Sequence, residues 1–301
     1  MKFTTFVAIR SLTLSKKDLF FSWIVWLSII GIAIGVATMI VVLSVINGFE
    51  KEIRNRFLAA NAHILIYKYP VGMSNYKDWV KNISQDFSKE ITAVSPFIHY
   101  ESIAKNGLLI NSVIIRGIDP KNRQKIHNFS ENIITPDEAL KILADEVELF
   151  NQTSTLPQAP AVIIGKGLSN VLNIKLKDYI NILTIGDNNV SVLKKFKVVG
   201  FYDSGLKHYD NKLVIMSLFV AQKFFNLKTN VTGLEIGLKS PWNSPKIASQ
   251  IEKKYALSTK EWQSFNRSLF EALQTERAVI AAIVFLVAIV AGFNILTTSF
   301  I

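Results

Sequence analysis

Two long apolar segments, one near each end of the chain, dominate its hydrophobic pattern. Residues 19–49 include no charged side chain, and neither do residues 278–301. A helix over the first segment would be about 46 Å long, whereas the hydrocarbon core of a membrane is about 30 Å thick. We therefore predict transmembrane helices at 19–49 and 277–301, with the chain ending within or just after the second.

Amphipathic segments adjoin both apolar segments. After the first, Ile53 and Phe57 continue an apolar face, while charged residues fill the other face. Before the second, Leu269 belongs to an apolar series with the same helical spacing. We predict that the membrane helices extend beyond the bilayer as stalk helices at 50–62 and 263–276.

The charges before the first apolar segment indicate its orientation. Asp18 is the only acid there, against four basic residues. The basic residues are Lys2, Arg10, Lys16 and Lys17. Because such an excess is typical of the cytoplasmic side, we predict a cytoplasmic amphipathic segment at 1–18 and an external region between the spans. The apolar segment is too long for a cleaved signal peptide, so we interpret it as an uncleaved anchor.

Residues 63–262 have the mixed pattern of an external α/β (α+β) domain. Predicted strands lie at 63–69, 91–94, 98–105, 107–117, 196–205, 211–218 and 231–239, and 161–185 is predicted as strand, helix, strand. Predicted helices lie at 76–83, 137–150, 217–225 and 245–255. A loop rich in Gln, Thr, Ser and Pro, ending at 158, is predicted to separate two subdomains.

The composition excludes several functions. Half of the residues are hydrophobic, the net charge is +11, and there is no cysteine. Disulfides and Cys-ligated zinc are therefore excluded. The tightest basic cluster, Lys194, Lys195 and Lys197, has Phe196 as its one aromatic neighbour. We interpret this cluster as a solvated strand end rather than a nucleic-acid site.

No arrangement of side chains predicts catalysis. Gly165 and the lysine after it resemble the end of a phosphate-binding loop, but Pro160 stands where that loop requires glycine. Asp203, His208 and Asp210 are close in sequence, and a polar turn between strands is favoured over a metal or acid/base site. We predict a non-catalytic protein without metal or cofactor.

Small residues in the first apolar segment suggest helix packing. Gly31 and Gly35 form a GxxxG pattern, which allows another helix to approach closely. Small residues are common in membrane helices in general. The pattern is therefore explained equally by a specific contact with another helix and by this general composition.

Several segments in order along essentially the whole chain are similar to one family. The most specific are VLSVINGFE, FEALQTER and AGFNILTTS at the two membrane junctions. Between them lie HILI, IIRGIDP, VIIGKGLSNVLNIKLKD, FKVVGFYDSGLKHYDNKLVIMSLFVAQKF and VTGLEIGLK. These segments resemble the LolC/LolE permeases of the lipoprotein-releasing ABC transporter. The wider group includes the MacB and FtsX type permeases.

The resemblance implies two transmembrane helices, extended as stalks, that flank a MacB-like two-subdomain periplasmic region in the bacterial inner membrane. It implies a permease subunit that extracts lipoproteins and releases them to a periplasmic lipoprotein carrier. The implied partners are a second permease (a paralogue or another copy), a separate ABC ATPase that hydrolyses ATP, the lipoprotein cargo and membrane lipid. Nucleic acid is not among them.

The resemblance also implies where lipid is held, between the upper ends of the first two spans. The residues expected to contact lipid or lipoprotein are Val41, Val45, Ile46, Phe49, Leu269, Phe270 and Leu273. An apolar surface above the bilayer requires either lipid or another helix, so stalk packing alone is an equal explanation for each residue.

Two features depart from the family pattern. The family continues with a cytoplasmic segment and two further spans, whereas this chain stops at Ile301, so we expect a truncated product or a split gene. Members that capture the carrier have a longer, proline-containing protrusion where this chain has GDNNVSVLKK. The second departure favours the lipoprotein-receiving permease.

Two other functions stay open at this stage. One is a MacB/FtsX-type mechanotransmitting permease for another cargo or for a hydrolase partner. The other is a two-span membrane sensor whose external domain binds a ligand. A continuous apolar groove along the stalks would favour lipid cargo over both.

Overall fold

A computed structural model describes most of the chain, with only the backbone at some positions. The described residues are 19–60, 62–68, 72–123, 125–126, 129–134, 136–153, 157–185, 191–264 and 267–300. The chain divides into two compact units. One contains the helices at the two ends, through Ile53 and from Arg267, and the other contains residues 54–266.

The first unit contains α9 and the part of α1 through Ile53. The helices in chain order are α1 (Leu19–Ala60), α2 (Tyr76–Asp86), α3 (Pro120–Arg123), α4 (Pro136–Thr153), α5 (Lys166–Leu172), α6 (Lys207–Asp210), α7 (Leu218–Phe224), α8 (Ser244–Tyr255) and α9 (Arg267–Phe300), with 3-10 turns at Phe129–Asn132 and Pro241–Asn243. Neither α1 nor α9 includes a proline, so nothing in their sequences interrupts the helical hydrogen bonds.

The second unit is built on one sheet of ten described strands. The strands are β1 (Ile64–Tyr67), β2 (Ile91–Asn106), β3 (Leu109–Ile118), β4 (Ile133–Ile134), β5 (Ala161–Gly165), β6 (Tyr179–Ile185), β7 (Ser191–Tyr202), β8 (Leu213–Ser217), β9 (Gly233–Leu238) and β10 (Ser258–Glu261). Their order in the sheet is β10-β1-β9-β2-β3-β8-β5-β7-β4, and β6 pairs with β2 and β7.

Strand β2 belongs to both parts of this sheet. Ile91–Phe97 pairs with β9, and Phe97–Asn106 pairs with β3. Because β6 bridges the end of β2 to β7, six strands close a barrel in the order β2-β3-β8-β5-β7-β6. Strands β9, β1 and β10 extend the sheet from the first half of β2. The barrel and this extension therefore share one strand.

Apolar residues on both faces of the sheet form the core. On β5, Val162 and Ile164 join the main cluster with α2, α5, α7 and α8, whereas Ala161 and Ile163 join a second cluster with α4. A strand that is covered on both faces has a continuous apolar sequence rather than an alternating one, as in AVII.

The sheet differs from its prediction in two respects. The predicted strands at 91–94 and 98–105 are one strand, β2, which continues through Pro96. At Pro96 the strand pairs only with β9, because its pairing with β3 begins at Phe97. Proline is tolerated at such a half-paired position. The short strands β4 and β10 were not predicted, since neither has an alternating apolar pattern.

The hairpin predicted at Asn106 and Gly107 is confirmed. Asn106 pairs with Leu109 across the turn, and Gly107 has a φ of 59°. Glycine adopts this left-handed conformation without the steric cost that other residues meet.

Candidate functional site

An exposed apolar row runs along α1. Val41, Val45 and Phe49 are four residues apart, which places them on one face of the helix in successive turns. Their surfaces are 61%, 65% and 60% exposed, respectively. Such a row is unfavourable in water and favourable in hydrocarbon or against another apolar surface. It is therefore a candidate lipid-contacting or protein-contacting surface.

A different side of α1 contacts α9. Partly or fully buried positions recur at helical spacing on α1, at Gly35, Met39, Ile46 and Glu50. A Cβ atom built on Gly35 would lie 3.9 Å from Cγ1 of Val287 on α9. The absence of a side chain at Gly35 therefore allows the two helices to approach closely.

Polar side chains join the same two helices nearer the end of α1. Arg277 Nη2 donates to Asn47 Oδ1 at 3.4 Å, and the Arg277 guanidinium forms an ion pair with Glu50. Gly35 on α1 lies near Val287 on α9, whereas the later residue Asn47 contacts the earlier residue Arg277. The two helices therefore run antiparallel.

The predicted lipid-contacting residues fall into three groups. Val41, Val45 and Phe49 form the exposed row. Ile46 is half-buried on the side of α1 that contacts α9. The backbones of Leu269, Phe270 and Leu273 belong to α9, but their side chains lie outside the described part of the structure. The role of all seven residues in lipid binding stays a prediction.

The two glycines predicted to pack helices have different surroundings. Gly35 lies opposite Val287, as described above, whereas a Cβ atom built on Gly31 would meet no atom within 4 Å. Gly31 is exposed on α1 and is therefore available to a surface outside this chain.

The described residues include one helix that is long and apolar enough to cross a membrane. It is the part of α1 from Ile29 to Glu52, and none of its most apolar stretch is buried within the protein. The predicted second span at 277–301 lies partly outside the residues whose side chains are described, so it stays a prediction.

The polar residues around Asp210 close a turn. Asp210 is buried and accepts hydrogen bonds from the backbone N–H of Ser204 at 3.1 Å and from its hydroxyl at 2.8 Å. Burial raises the pKa of the Asp210 carboxyl. Asp203 pairs with Lys166 at 3.2 Å. Within the described ranges no group of three or more His, Cys, Asp or Glu residues could hold a metal ion.

A buried ion cluster was not predicted from the sequence. Glu235 on β9 has no exposed surface and pairs with Arg116 on β3 and with Arg123 on α3, whose Nε lies 2.9 Å from Glu235 Oε2. Burial and the charge of Arg116 lower the pKa of Arg123 to about 10. The sequence did contain an indication of buried charge. Glu235 is the one charged residue in the otherwise apolar segment GLEIGL, and Arg116 is the one in VIIRGI. The cluster joins α3 to the sheet.

Comparisons with known proteins identify the family of this chain. Residues 25–254 match the model of the MacB-like periplasmic core domain. The chain is 29% identical over 300 residues to the lipoprotein-releasing system transmembrane protein LolC of Neisseria meningitidis, covering 97% of this chain and 68% of the relative. It is 24% identical over 282 residues to LolE of Haemophilus influenzae, with coverages of 90% and 64%. The crystal structure of the periplasmic region of MacB from Actinobacillus actinomycetemcomitans matches with a TM-score of 0.40 and 10% identity, covering 68% of this chain and 91% of that one.

The chain belongs to the MacB-like periplasmic core domain family, whose model covers most of its length. Within this class it is a permease of the LolC/LolE type, which confirms the resemblance predicted from the junction motifs.

Proposed function

We propose that this chain is the transmembrane permease subunit of an ABC transporter that extracts lipoproteins from the inner membrane and releases them to a periplasmic carrier. The exposed row of Val41, Val45 and Phe49 supports this proposal most directly, because it offers hydrocarbon contacts on a helix that can cross a membrane. The similarity to the lipoprotein-releasing proteins names the cargo class.

The proposed topology has two spans. Residues 1–18 lie in the cytoplasm, α1 crosses the membrane at 19–49, and 50–62 forms the first stalk. The domain at 63–262 is periplasmic, and the second stalk at 263–276 leads into the second span at 277–301. The basic residues before α1 and the apolar sequence of the second span support this arrangement.

The proposed role of the chain is mechanical rather than chemical. A partner permease and a separate ABC ATPase would complete the transporter, and movements of the stalks would release acyl chains from the site. Because the β6–β7 hairpin has no proline, we assign this chain to the lipoprotein-receiving side of the pair.

The proposed lipid site combines the exposed row on α1 with Leu269, Phe270 and Leu273 on α9. Each acyl methylene that this surface keeps out of water avoids a cost of about 0.8 kcal/mol, so an apolar surface is suited to acyl chains that leave the bilayer. Ile46 would line the boundary between the row and α9.

Site-specific photo-crosslinking tests this proposal. The transporter is assembled with its partner permease and ATPase in membranes that contain a triacylated lipoprotein, and a benzophenone amino acid replaces Val45 or Phe49. We expect covalent capture of the lipoprotein at both positions. Ile30 is the matched control, because it is also exposed on α1 but about 22 Å further along the helix from Val45. Labelling of phospholipid alone at Val45 would contradict the proposal.

A further inference from the structure

The two junction motifs of the sequence meet in the structure. VLSVINGFE supplies Asn47 and Glu50 on α1, and FEALQTER supplies Arg277 on α9. The Arg277 guanidinium donates to Asn47 Oδ1 at 3.4 Å and pairs with the Glu50 carboxylate. One cation therefore bridges two side chains that are a single helical turn apart.

The exposure of these groups makes the ion pair more than a surface contact. The Glu50 side chain is 11% exposed, whereas the Arg277 side chain is 54% exposed. Breaking an ion pair in which one partner is nearly buried costs more than breaking a fully exposed pair. The contact with Arg277 therefore favours the observed arrangement of α1 and α9.

The position of the pair around α1 gives it a second consequence. At about 100° per residue, the side of α1 that contacts α9, formed by Gly35, Met39, Ile46 and Glu50, is centred about 110° around the helix from the centre of the row formed by Val41, Val45 and Phe49. Holding this side of α1 against α9 therefore turns the exposed row to one side of α9.

We propose that Arg277 is a positioning residue, whose bridge to Asn47 and Glu50 fixes the rotation of α1 and so presents the apolar row to the cargo. The presentation to cargo rests on the proposed function, but the rotational constraint does not. Rotating α1 by about 100° in the direction that brings Ile34 to the position of Gly35 would break both contacts of the guanidinium and bury part of the row against α9.

Disulfide trapping in membranes tests the rotational constraint. The chain has no cysteine, so an introduced pair is its only pair. G35C with V287C reports the observed rotation, and I34C with V287C reports the rotation of about 100° that would bring the row against α9, because Ile34 is exposed and lies on the same face of α1 as the row. We expect the first pair to form the disulfide faster under mild oxidation.

Substitutions in the ion pair should change the relative rates at which the two cysteine pairs form a disulfide. Arg277→Gln or Glu50→Gln should lower the ratio of the two disulfide rates about fivefold, the effect of roughly one kcal/mol. Arg277→Lys should retain most of the ratio, and the charge exchange E50R with R277E should restore it. Arg267→Gln is the control, because Arg267 pairs with Glu271 on its own helix and should leave the ratio unchanged.

The outcomes separate this proposal from the proposed function. If the ratio of the two disulfide rates is unchanged in both R277Q and E50Q, the rotational constraint is overturned. Because this measurement includes no lipoprotein, its result does not depend on the proposed function. If R277Q does not accumulate in membranes, the ratio in E50Q decides. If the ratio falls but lipoprotein capture at Val45 is unchanged in the same variant, the positioning role is overturned. If the chain with Arg277 and Glu50 intact shows the expected ratio of disulfide rates but captures no lipoprotein at Val45, that result would count against the lipoprotein site alone.

Discussion

At the scale of single residues, one carboxylate organises the buried charges of the unit at 54–266. Glu235 neutralises one of the two guanidinium groups of Arg116 and Arg123, and Phe97 and Phe129 lie within 5.3 Å and 5.1 Å of the two groups, respectively. Aromatic faces attract cations, so they offset part of the remaining positive charge.

Neutralising this carboxylate should destabilise the protein strongly. Glu235→Gln leaves two buried guanidinium groups without a counter-ion, so we expect a loss of about 3–5 kcal/mol in the free energy of unfolding. Denaturant unfolding of the purified chain in detergent, followed by tryptophan fluorescence, measures this loss. Glu148→Gln is the control, because Glu148 pairs with Lys121 at the exposed surface and should change little. Equal stability of the two variants would contradict the structural role of Glu235.

Some residues of the candidate site could be predicted from the sequence. The family resemblance implied Val41, Val45 and Phe49, and their four-residue spacing places all three on one exposed face, while their contact with lipid stays a prediction. Arg116 and Glu235 are 119 residues apart in sequence, so no local pattern could pair them. The contact of Arg277 with Glu50 is equally non-local and appears only when both helices are present.

At the scale of elements, Gly165 explains a motif that resembled a phosphate-binding loop. It ends β5 and immediately precedes α5, and a Cβ atom built there would lie 1.9 Å from the carbonyl oxygen of Asp210. The glycine therefore allows the backbone of α6 to lie against the β5–α5 junction. Packing accounts for its presence without any nucleotide.

A methyl group at this position should separate the two elements. Gly165→Ala introduces a clash with backbone rather than with a flexible side chain, so we expect a loss of about 1–3 kcal/mol in the free energy of unfolding. Gly31→Ala is the matched control, because a Cβ atom there meets nothing within 4 Å. Thermal unfolding of both variants in detergent provides the comparison, and equal midpoints would show that the junction tolerates the methyl group.

Elements with strong local signals were predicted well, and edge elements were not. The helix predicted at 137–150 begins at Pro136 in the structure, where proline suits the first turn. The polar sequence STKE of β10 has no strand signal of its own and is a strand because β1 supplies hydrogen-bond partners. Such tertiary pairing is invisible in a local window.

At the scale of the whole molecule, apolar helices from the two ends of the chain form one unit and the sheet forms the other. The uncharged segments near the two ends of the chain set these helices apart in the sequence, and the predicted bounds of the spans and stalks stay predictions. The closed six-strand barrel could not be predicted, because its closure depends on β6 pairing with β2, a contact between segments far apart in sequence.

The orientation in the membrane can be tested by labelling cysteines in spheroplasts. Leu108 at the tip of the β2–β3 hairpin is 97% exposed, so Leu108→Cys should react with a membrane-impermeant maleimide if the domain is periplasmic. Ser15→Cys, before the first apolar segment, should react only after the membrane is permeabilised. The reverse pattern would place the N-terminus outside the cytoplasm.

The hydrogen bonds of the sheet extension suggest how this unit resists force. His63 and Trp262, at the two points where the chain enters and leaves the sheet, are joined by a backbone hydrogen bond of 3.1 Å, and His63 also bonds to Ile236 on β9. A pull along β1 therefore acts on all of its cross-strand hydrogen bonds together, in shear, instead of opening them one by one. Such loading would keep β1 paired with β9 and β10 when the chain is pulled along β1.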